Sequence, residues 1–364
     1  RRQDLHDYIS ENCDLYSSEL DRPFSVSEFS AAVKSLKNNK SPSFDRVSNE
    51  MLKVAHPIAG RQLLYIFNAV LATSKVPSIW KDNILTPLHK SGSLSDPDNY
   101  RGIAVGSRVC KLFSKLLNKR LEIKVNTDNM VSQQQGSGKC GSRTADHLLV
   151  VKFLIDKYVN LQGGKLFACF VDLRKCFDTI PRDLLFYSLL KNHSIGGQFL
   201  KVIKEIYDKN QLFVKVSDGL CQSFVTTKGV LQGEINSPLL FNIFVDKITK
   251  VFDDSCDPVF INNTPQNCLL WSDDLAIFST TARGLQNSID KMCLFYASLG
   301  LEISLKKTKI IVFNKSGKLL KGYNFMCNGT GLEVTNEYQY LGIKFTPSGS
   351  MTLATNELCT KASR

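Results

Sequence analysis

No apolar run in this chain approaches the roughly 20 residues that a bilayer-spanning helix needs, so a transmembrane helix is excluded and no membrane partner is expected. No C-x-x-C pair occurs. The eleven cysteines are odd in number and scattered between positions 13 and 359, and the five histidines stand apart, which excludes zinc-site spacing and a disulfide framework. Reduced thiols in an intracellular protein are the expectation, in nucleus and/or cytoplasm. Internal repeats and low-complexity linkers are missing, which excludes a repeat architecture. The start, Arg1-Arg2-Gln3-Asp4, has neither an initiator Met nor a signal-peptide pattern, so the sequons at Asn262 and Asn328 carry little weight. With no stop signal at Lys361-Ala362-Ser363-Arg364, a piece of a longer polypeptide is expected. Acidic residues are the minority: 34 Asp and Glu against 46 Lys and Arg give a net charge of +12. That surplus favours a polyanionic partner, nucleic acid ahead of an anionic membrane surface, and nucleic acid is the partner expected.

What is present is an ordinary globular composition, 43% hydrophobic over 364 residues, enough for one large or two medium domains. Two segments carry chemistry. In Leu269-Leu270-Trp271-Ser272-Asp273-Asp274-Leu275-Ala276-Ile277-Phe278, two adjacent carboxylates sit between short apolar runs, a pattern that reads as a β-hairpin with a polar turn. Neighbouring acids repel, so a rigid turn bearing both suggests a divalent cation; an exposed acidic turn is the alternative. Upstream, residues 165–178 form a near-continuous apolar run interrupted by Asp172, which reads as a buried strand with a carboxylate near its end. Three carboxylates from two strands could hold two Mg²⁺ ions, since hard cations take oxygen ligands and a metal pair roughly 3.5–4 Å apart serves attacking and leaving oxygens.

Along the chain, Ser25-Val26-Ser27-Glu28 is a capping-box pattern opening a helix that Pro42 should end. Leu63, Phe67 and Val70 mark a second helix. Residues 80–90 read as a strand ending at Lys90, and Asp96-Pro97-Asp98-Asn99-Tyr100-Arg101 as a turn into a strand or helix. Lys90 and Arg101 either clamp an anion such as a triphosphate or are solvated charges. On the helix with Leu112, Phe113, Leu116, Leu117 and Leu121, the cations Lys111, Lys115, Lys119 and Arg120 read as a solvated face or a phosphate track. Residues 133–142 are a glycine- and glutamine-rich loop, followed by a helix at about 144–158. Pro181 falls in the first turn of another helix. Residues 211–216 and 223–227 read as strands around Asp218-Gly219. In residues 228–238, glycines permit close backbone approach, Ser237 suits an N-cap and Pro238 the first helical position. A helix ends at Gly300, residues 301–313 alternate like a strand, and Tyr338-Gln339-Tyr340-Leu341-Gly342-Ile343 is hairpin-like.

The ordered set resembles the reverse transcriptase domain of non-LTR (LINE-type) retrotransposons over about residues 20–345. Ser41-Pro42-Ser43-Phe44-Asp45 is similar to S-P-G-P-D, and Asn99-Tyr100-Arg101-Gly102-Ile103 to N-Y-R-P/G-I. Phe170-Val171-Asp172-Leu173-Arg174-Lys175-Cys176-Phe177-Asp178 is similar to F-V-D-x-x-K-A-F-D. Residues 229–240 resemble G-V-x-Q-G-x-x-x-S-P-L-L, and Trp271-Ser272-Asp273-Asp274 stands where Y/F-A-D-D is usual. Leu299-Gly300-Leu301 with Lys307-Thr308-Lys309, and Tyr340-Leu341-Gly342, resemble the two segments that follow.

The resemblance implies an α+β, right-hand polymerase fold: helical/β fingers, a ferredoxin-like palm with antiparallel sheet, and a thumb mostly absent. The implied segments are an N-terminal extension (1–24), fingers with first palm elements (25–160), palm (161–320), and primer-grip region with the start of the thumb (321–364). It implies RNA-directed DNA synthesis from a 3′-hydroxyl, with RNA template, DNA primer and dNTPs as partners, Mg²⁺ (two ions; Mn²⁺ as a substitute) as cofactor, and an endonuclease domain fused N-terminally. Asp172, Asp273, Asp274 and the Leu173 carbonyl would be metal ligands. Phe177 would stack under the sugar and exclude a 2′-hydroxyl, while Gln232 and Gly233 would pack on the template–nucleotide pair. Lys90 and Arg101 would neutralise the triphosphate, Lys307 would protonate pyrophosphate, and Tyr340, Leu341 and Gly342 would form the primer grip.

Several residues depart from the pattern: Trp271 and Ser272 before the acids, Glu234 where Asp or a small residue is common, Ser43, Phe44 and Arg46 in the glycine-rich loop, Ser304 for the usual Asn, and Ser137 for a Phe in a loose match to Q-x-G-F-x-x-G-x-x-T. These departures favour a second reading, a catalytically decayed or domesticated relic that only binds nucleic acid; a group II intron maturase-like protein is a third.

Overall fold

A computed structural model describes residues 2–350 apart from 91, 140 and 163; the C-terminal part of the expected thumb segment, 351–364, lies outside the described residues. The chain forms two compact units, each built from discontinuous stretches.

The first unit joins residues 1–130 and 177–244. Its sheet contains β1 (Asp82–His89), β2 (Tyr100–Val105), β4 (Gln211–Val216), β5 (Gly219–Leu220) and β6 (Phe224–Val225). β1 pairs antiparallel with β2 and parallel with β4, and β4 pairs antiparallel with both short strands. The capping box at Ser25 and Glu28 is complete, but its helix, Val26–Lys34, ends at a Ser35 cap well before Pro42. The helix Arg108–Thr127 buries Leu112, Phe113, Leu116, Leu117 and Leu121 as its period demands. Arg120 breaks the expected solvated face. It is 4% exposed, sits 4.2 Å over the Phe24 ring, pairs with Glu28 at 3.0 Å, and donates to the carbonyls of Leu20, Arg22 and Pro23. A buried guanidinium whose donors are spent on backbone carbonyls is a structural tie, so it is no part of a phosphate track. Pro181 precedes the helix Arg182–His193 as its cap residue. Ser237 is the first residue of the helix Ser237–Val245, and its hydroxyl donates to the Leu231 carbonyl instead of capping.

The second unit joins residues 131–176 with those from 245 onward that are described. Its six-stranded sheet runs β12 (Phe325–Cys327), β13 (Thr330–Val334), β11 (Lys309–Asn314), β3 (Lys165–Val171), β10 (Asp274–Ser279) and β9 (Cys268–Trp271), with β9 as one edge. The four strands from β11 to β9 are antiparallel in ferredoxin-like order, and β13 joins β11 in parallel. Of residues 301–313, only those from Lys309 on form a strand; 305–307 are turn, because Ser304 accepts the Lys307 and Thr308 amides through its carbonyl. On one face Leu166, Ala168 and Phe170 pack with Val151, Leu154 and Ile155 of the helix Thr144–Ile155. The opposite face meets the helix Ala282–Ser298, where Cys293 lies by Cys169. Burial on both faces explains why β3 is apolar without alternation. Gly300 (φ 69) closes the helix Ala282–Ser298 as a Schellman cap, with Leu301 N–H on the Tyr296 carbonyl and Gly300 N–H on Ala297. Two small ladders, β7 (Phe260–Ile261) with β8 (Thr264–Pro265) and β14 (Tyr338–Tyr340) with β15 (Ile343–Phe345), complete the unit. The nine described cysteines are free, and no described helix is long and apolar enough to cross a membrane.

Candidate active site

The strand register places the acids. β9 and β10 pair through Trp271 opposite Asp274, leaving Ser272 and Asp273 as a two-residue hairpin loop. Ser272 has φ 59 and Asp273 does not share that sign, the φ pattern of a type II′ turn. The pairing of β10 with β3 runs out at Leu275 opposite Val171. Asp274 and Asp172 are therefore the next residues on adjacent antiparallel strands, and strand alternation puts both on the face of Phe170 and Ala276. The Tyr338 phenol agrees with that placement. It is pushed up first by burial and then by the carboxylates of Asp274 and Asp172, so both acids lie within electrostatic reach of one ring.

After Asp172 the chain continues with Leu173, which bridges Ile303. The bonds of that bridge are made by its neighbours: Ser304 N–H to the Asp172 carbonyl and Arg174 N–H to the Glu302 carbonyl, each at 2.8 Å. The Leu173 carbonyl thus stays outside that ladder. The Thr308 hydroxyl accepts the Asp172 amide at 3.2 Å, and the Lys307 ammonium stands 3.8 Å from its carboxylate. Asp273 turns the other way: its carboxylate accepts from the Cys176 thiol at 3.6 Å and acts on the buried Tyr296 phenol of the helix Ala282–Ser298. The three acids therefore share one strand-end region but do not form a finished cage. Among the described residues, no group of three or more His, Cys, Asp or Glu side chains could hold a metal ion as it stands. The donors themselves fit a divalent cation, being carboxylate and carbonyl oxygens.

The hairpin of β14 and β15 lies on the same face. Tyr338 stacks on Phe170 (4.8 Å, 11°), and Tyr340 packs beside it at 5.2 Å. Leu341 (φ 47) and Gly342 (φ 84) form its turn, both in the left-handed region of a type I′ turn.

The remaining expected residues belong to the first unit. Arg101 pairs opposite Leu88, and the Lys90 amide donates to the Asn99 carbonyl, so the two cations project from one end and one face of the β1–β2 ladder, both exposed. Phe177 stacks on Phe241 (4.8 Å, 22°), and its carbonyl accepts Val230 N–H at 2.7 Å. The Gln232 carbonyl accepts Ala104 N–H at 2.8 Å, while its amide nitrogen lies 3.3 Å from the Asp178 carboxylate. Gly233 has φ 107, and a Cβ there would lie 2.7 Å from the Ala104 carbonyl, so only glycine fits. Glu234 is buried, and burial raises its carboxyl above the usual range despite Lys111 nearby.

Two supports were not singled out by sequence. Thr308 holds Asp172, although it lies inside a quoted motif. Arg182, 8% exposed, donates to the carbonyls of Gly229, Tyr207 and Thr226 and fixes the base of the Gly229–Gly233 loop. A cation beside Pro181 at a helix start gives no sequence signal of that role.

A polymerase-type palm with acids at the ends of two adjacent strands defines the class. Residues 88–345 match the family model described as reverse transcriptase (RNA-dependent DNA polymerase), and the chain belongs to that family. Among curated proteins it is 27% identical to the probable RNA-directed DNA polymerase from transposon BS of Drosophila melanogaster, over 88% of this chain and 36% of that protein. It is 23% identical to the Pol polyprotein of the type-2 retrotransposable element R2DM of the same fly, over 82% of this chain and 28% of that protein. The chain thus spans about a third of these relatives. A solved structure of apo telomerase from Candida tropicalis superposes with a TM-score of 0.52 at 14% identity, covering 86% of this chain and 56% of that one. That likeness shows the right-hand polymerase fold, and the relatives bear out the retrotransposon resemblance.

Proposed function

We propose that this chain is the RNA-directed DNA polymerase of a retrotransposon protein, extending a DNA primer's 3′-hydroxyl on an RNA template with dNTPs. The observation that carries the reading is the placement of Asp172 and Asp274 beyond the last paired residues of β3 and β10, on the face of Phe170 and Ala276, in a chain of this family. Reverse transcriptases require a divalent cation in general; here Asp172, Asp273, Asp274 and the Leu173 carbonyl would hold two Mg²⁺ ions, with Mn²⁺ as a substitute. Such ions, when bound, lower the pKa of the primer hydroxyl and neutralise the leaving pyrophosphate. Lys90 and Arg101 bind the triphosphate, Arg101 as a planar fork and Lys90 as a point charge. Phe177 supports the sugar and excludes a 2′-hydroxyl, Gln232 and Gly233 line the nascent pair, and Lys307 gives a proton to pyrophosphate. Tyr340, Leu341 and Gly342 hold the primer end. Residues 25–160 then act as fingers, 161–320 as palm, and 321 onward as primer grip and start of the thumb, after an N-terminal extension at 1–24. An endonuclease domain fused N-terminally would supply the primer, in nucleus and/or cytoplasm.

Primer extension on an RNA template with Mg²⁺ tests this. Asp172→Asn and Asp273→Asn should each lower the rate by roughly two to three orders of magnitude while primer–template binding persists. Equal extension by wild type and both variants would sink the reading.

A further inference from the structure

We propose that Gln135 is a positioning residue: its amide oxygen fixes the backbone of the Ser272–Asp273 turn and so aims Asp273. Gln135 is 0% exposed, unusual for a glutamine. Its Oε1 accepts the Ser272 N–H at 3.1 Å and the Ser137 N–H at 3.1 Å. Ser272 is the left-handed residue of the hairpin loop, and the first loop residue of a two-residue hairpin has no place in the ladder for its N–H. The Gln135 side chain supplies that acceptor from a segment far away in sequence.

The clamp is braced on both sides. Leu270 N–H donates to the Gln134 carbonyl at 2.8 Å and Gly136 N–H to the Leu270 carbonyl at 2.9 Å, so Gln135 bridges the edge of β9 in parallel. At the foot of the loop, the Asp246 carboxylate accepts the Ser132 N–H and hydroxyl at 2.8–3.0 Å, and the Lys139 ammonium donates to the Ser132 carbonyl. Inward drift is blocked, because a Cβ on Gly136 would lie 2.5 Å from His147 Nε2 and 2.8 Å from the Trp271 ring. Gln135 stands at an unspecified position of the loose Q-x-G-F match, so its role comes from the geometry and not from the motif. The simpler reading is that Gln135 only closes its own loop on Ser137.

The kinetic part rests on the polymerase reading; the structural part does not. The Nε2 of Gln135 has no hydrogen-bond partner among the described residues, so only the acceptor matters. Gln135→Met keeps the length and removes the acceptor; Gln135→Glu keeps a carboxyl oxygen there, neutral once burial raises its pKa. Hydrogen exchange at the Ser272 amide and steady-state extension are measured together with melting temperature. Gln135→Met should speed Ser272 exchange and lower kcat, each by about tenfold, with the KM for dNTP within about twofold of wild type. Gln135→Glu should restore both. Unchanged Ser272 exchange in folded Gln135→Met overturns the clamp, and faster exchange with unchanged kcat overturns the positioning role. A wild type that extends no primer defeats the polymerase reading, while the exchange measurement still decides the clamp. Should Gln135→Met fail to fold, Gln135→Asn, which withdraws the amide by one methylene, is read by the same criteria.

Discussion

Single side chains set the sharpest expectations. His147 stands edge-on to Trp271 at 5.4 Å, and burial drives its pKa down from 6.5 to about 4. A depressed histidine is neutral in the fold and charges first in the unfolded chain. Its contribution is therefore full above about pH 6.5 and is lost as pH falls through about 4. The loss is on the order of 2–3 kcal/mol, and His147→Leu should flatten the stability curve in that window, read by urea melts at stepped pH. Arg120 offers a contrast at neutral pH. Arg120→Met leaves Glu28 half-paired and three backbone carbonyls without their donor, and should cost about 3–5 kcal/mol in a denaturant titration. Its role was hidden in the sequence because it sits among three lysines on a helix whose apolar stripe is satisfied without it. The place of Asp172 at the end of β3, by contrast, was legible at once, since a lone charge closing an apolar run stands out.

At the level of the element, turns carry the strain. Ser272 at φ 59 costs roughly 1–3 kcal/mol that glycine would not. Ser272→Gly should raise the urea midpoint yet slow primer extension, because the loosened turn no longer aims Asp273. Gly233→Ala meets the opposite situation: φ 107 and a carbonyl 2.7 Å away should destabilise the fold by about 1–3 kcal/mol, visible as a lower melting temperature. The β9–β10 hairpin, β1 and the Ser25 capping box were readable from local pattern, as their signals lie within a few residues. The stretch before Lys309 misled because its alternation is real while its backbone bonds close a turn on Ser304 and reach Asp172, the second a partner that no local window shows. Within the loop at residues 133–142, nothing local shows that Gln135 bridges Leu270 at the edge of β9.

For the whole molecule, charge and chain path dominate. A net charge of +12 predicts that primer–template affinity falls steeply with salt, by about 10³–10⁵ between 50 and 200 mM if six to ten phosphates are neutralised. A filter-binding series would show it, and a flat response would count against a nucleic-acid groove. The order of the motifs was readable along the chain, but the two discontinuous units were not, because compactness depends on which distant stretches pack together. The chain passes between them at three points, so contiguous motif blocks and compact bodies need not coincide.

The tether of residues 134–136 along β9 has a consequence beyond catalysis. β9 is the outermost strand on its side of the sheet, apolar and largely buried, and this short stretch occupies part of its outward row of donors and acceptors. Uncovered, such a row recruits strands from other molecules. Cutting the tether at its foot with Asp246→Ala would make turbidity on mild heating the first symptom, ahead of any loss of secondary structure in the protein still dissolved.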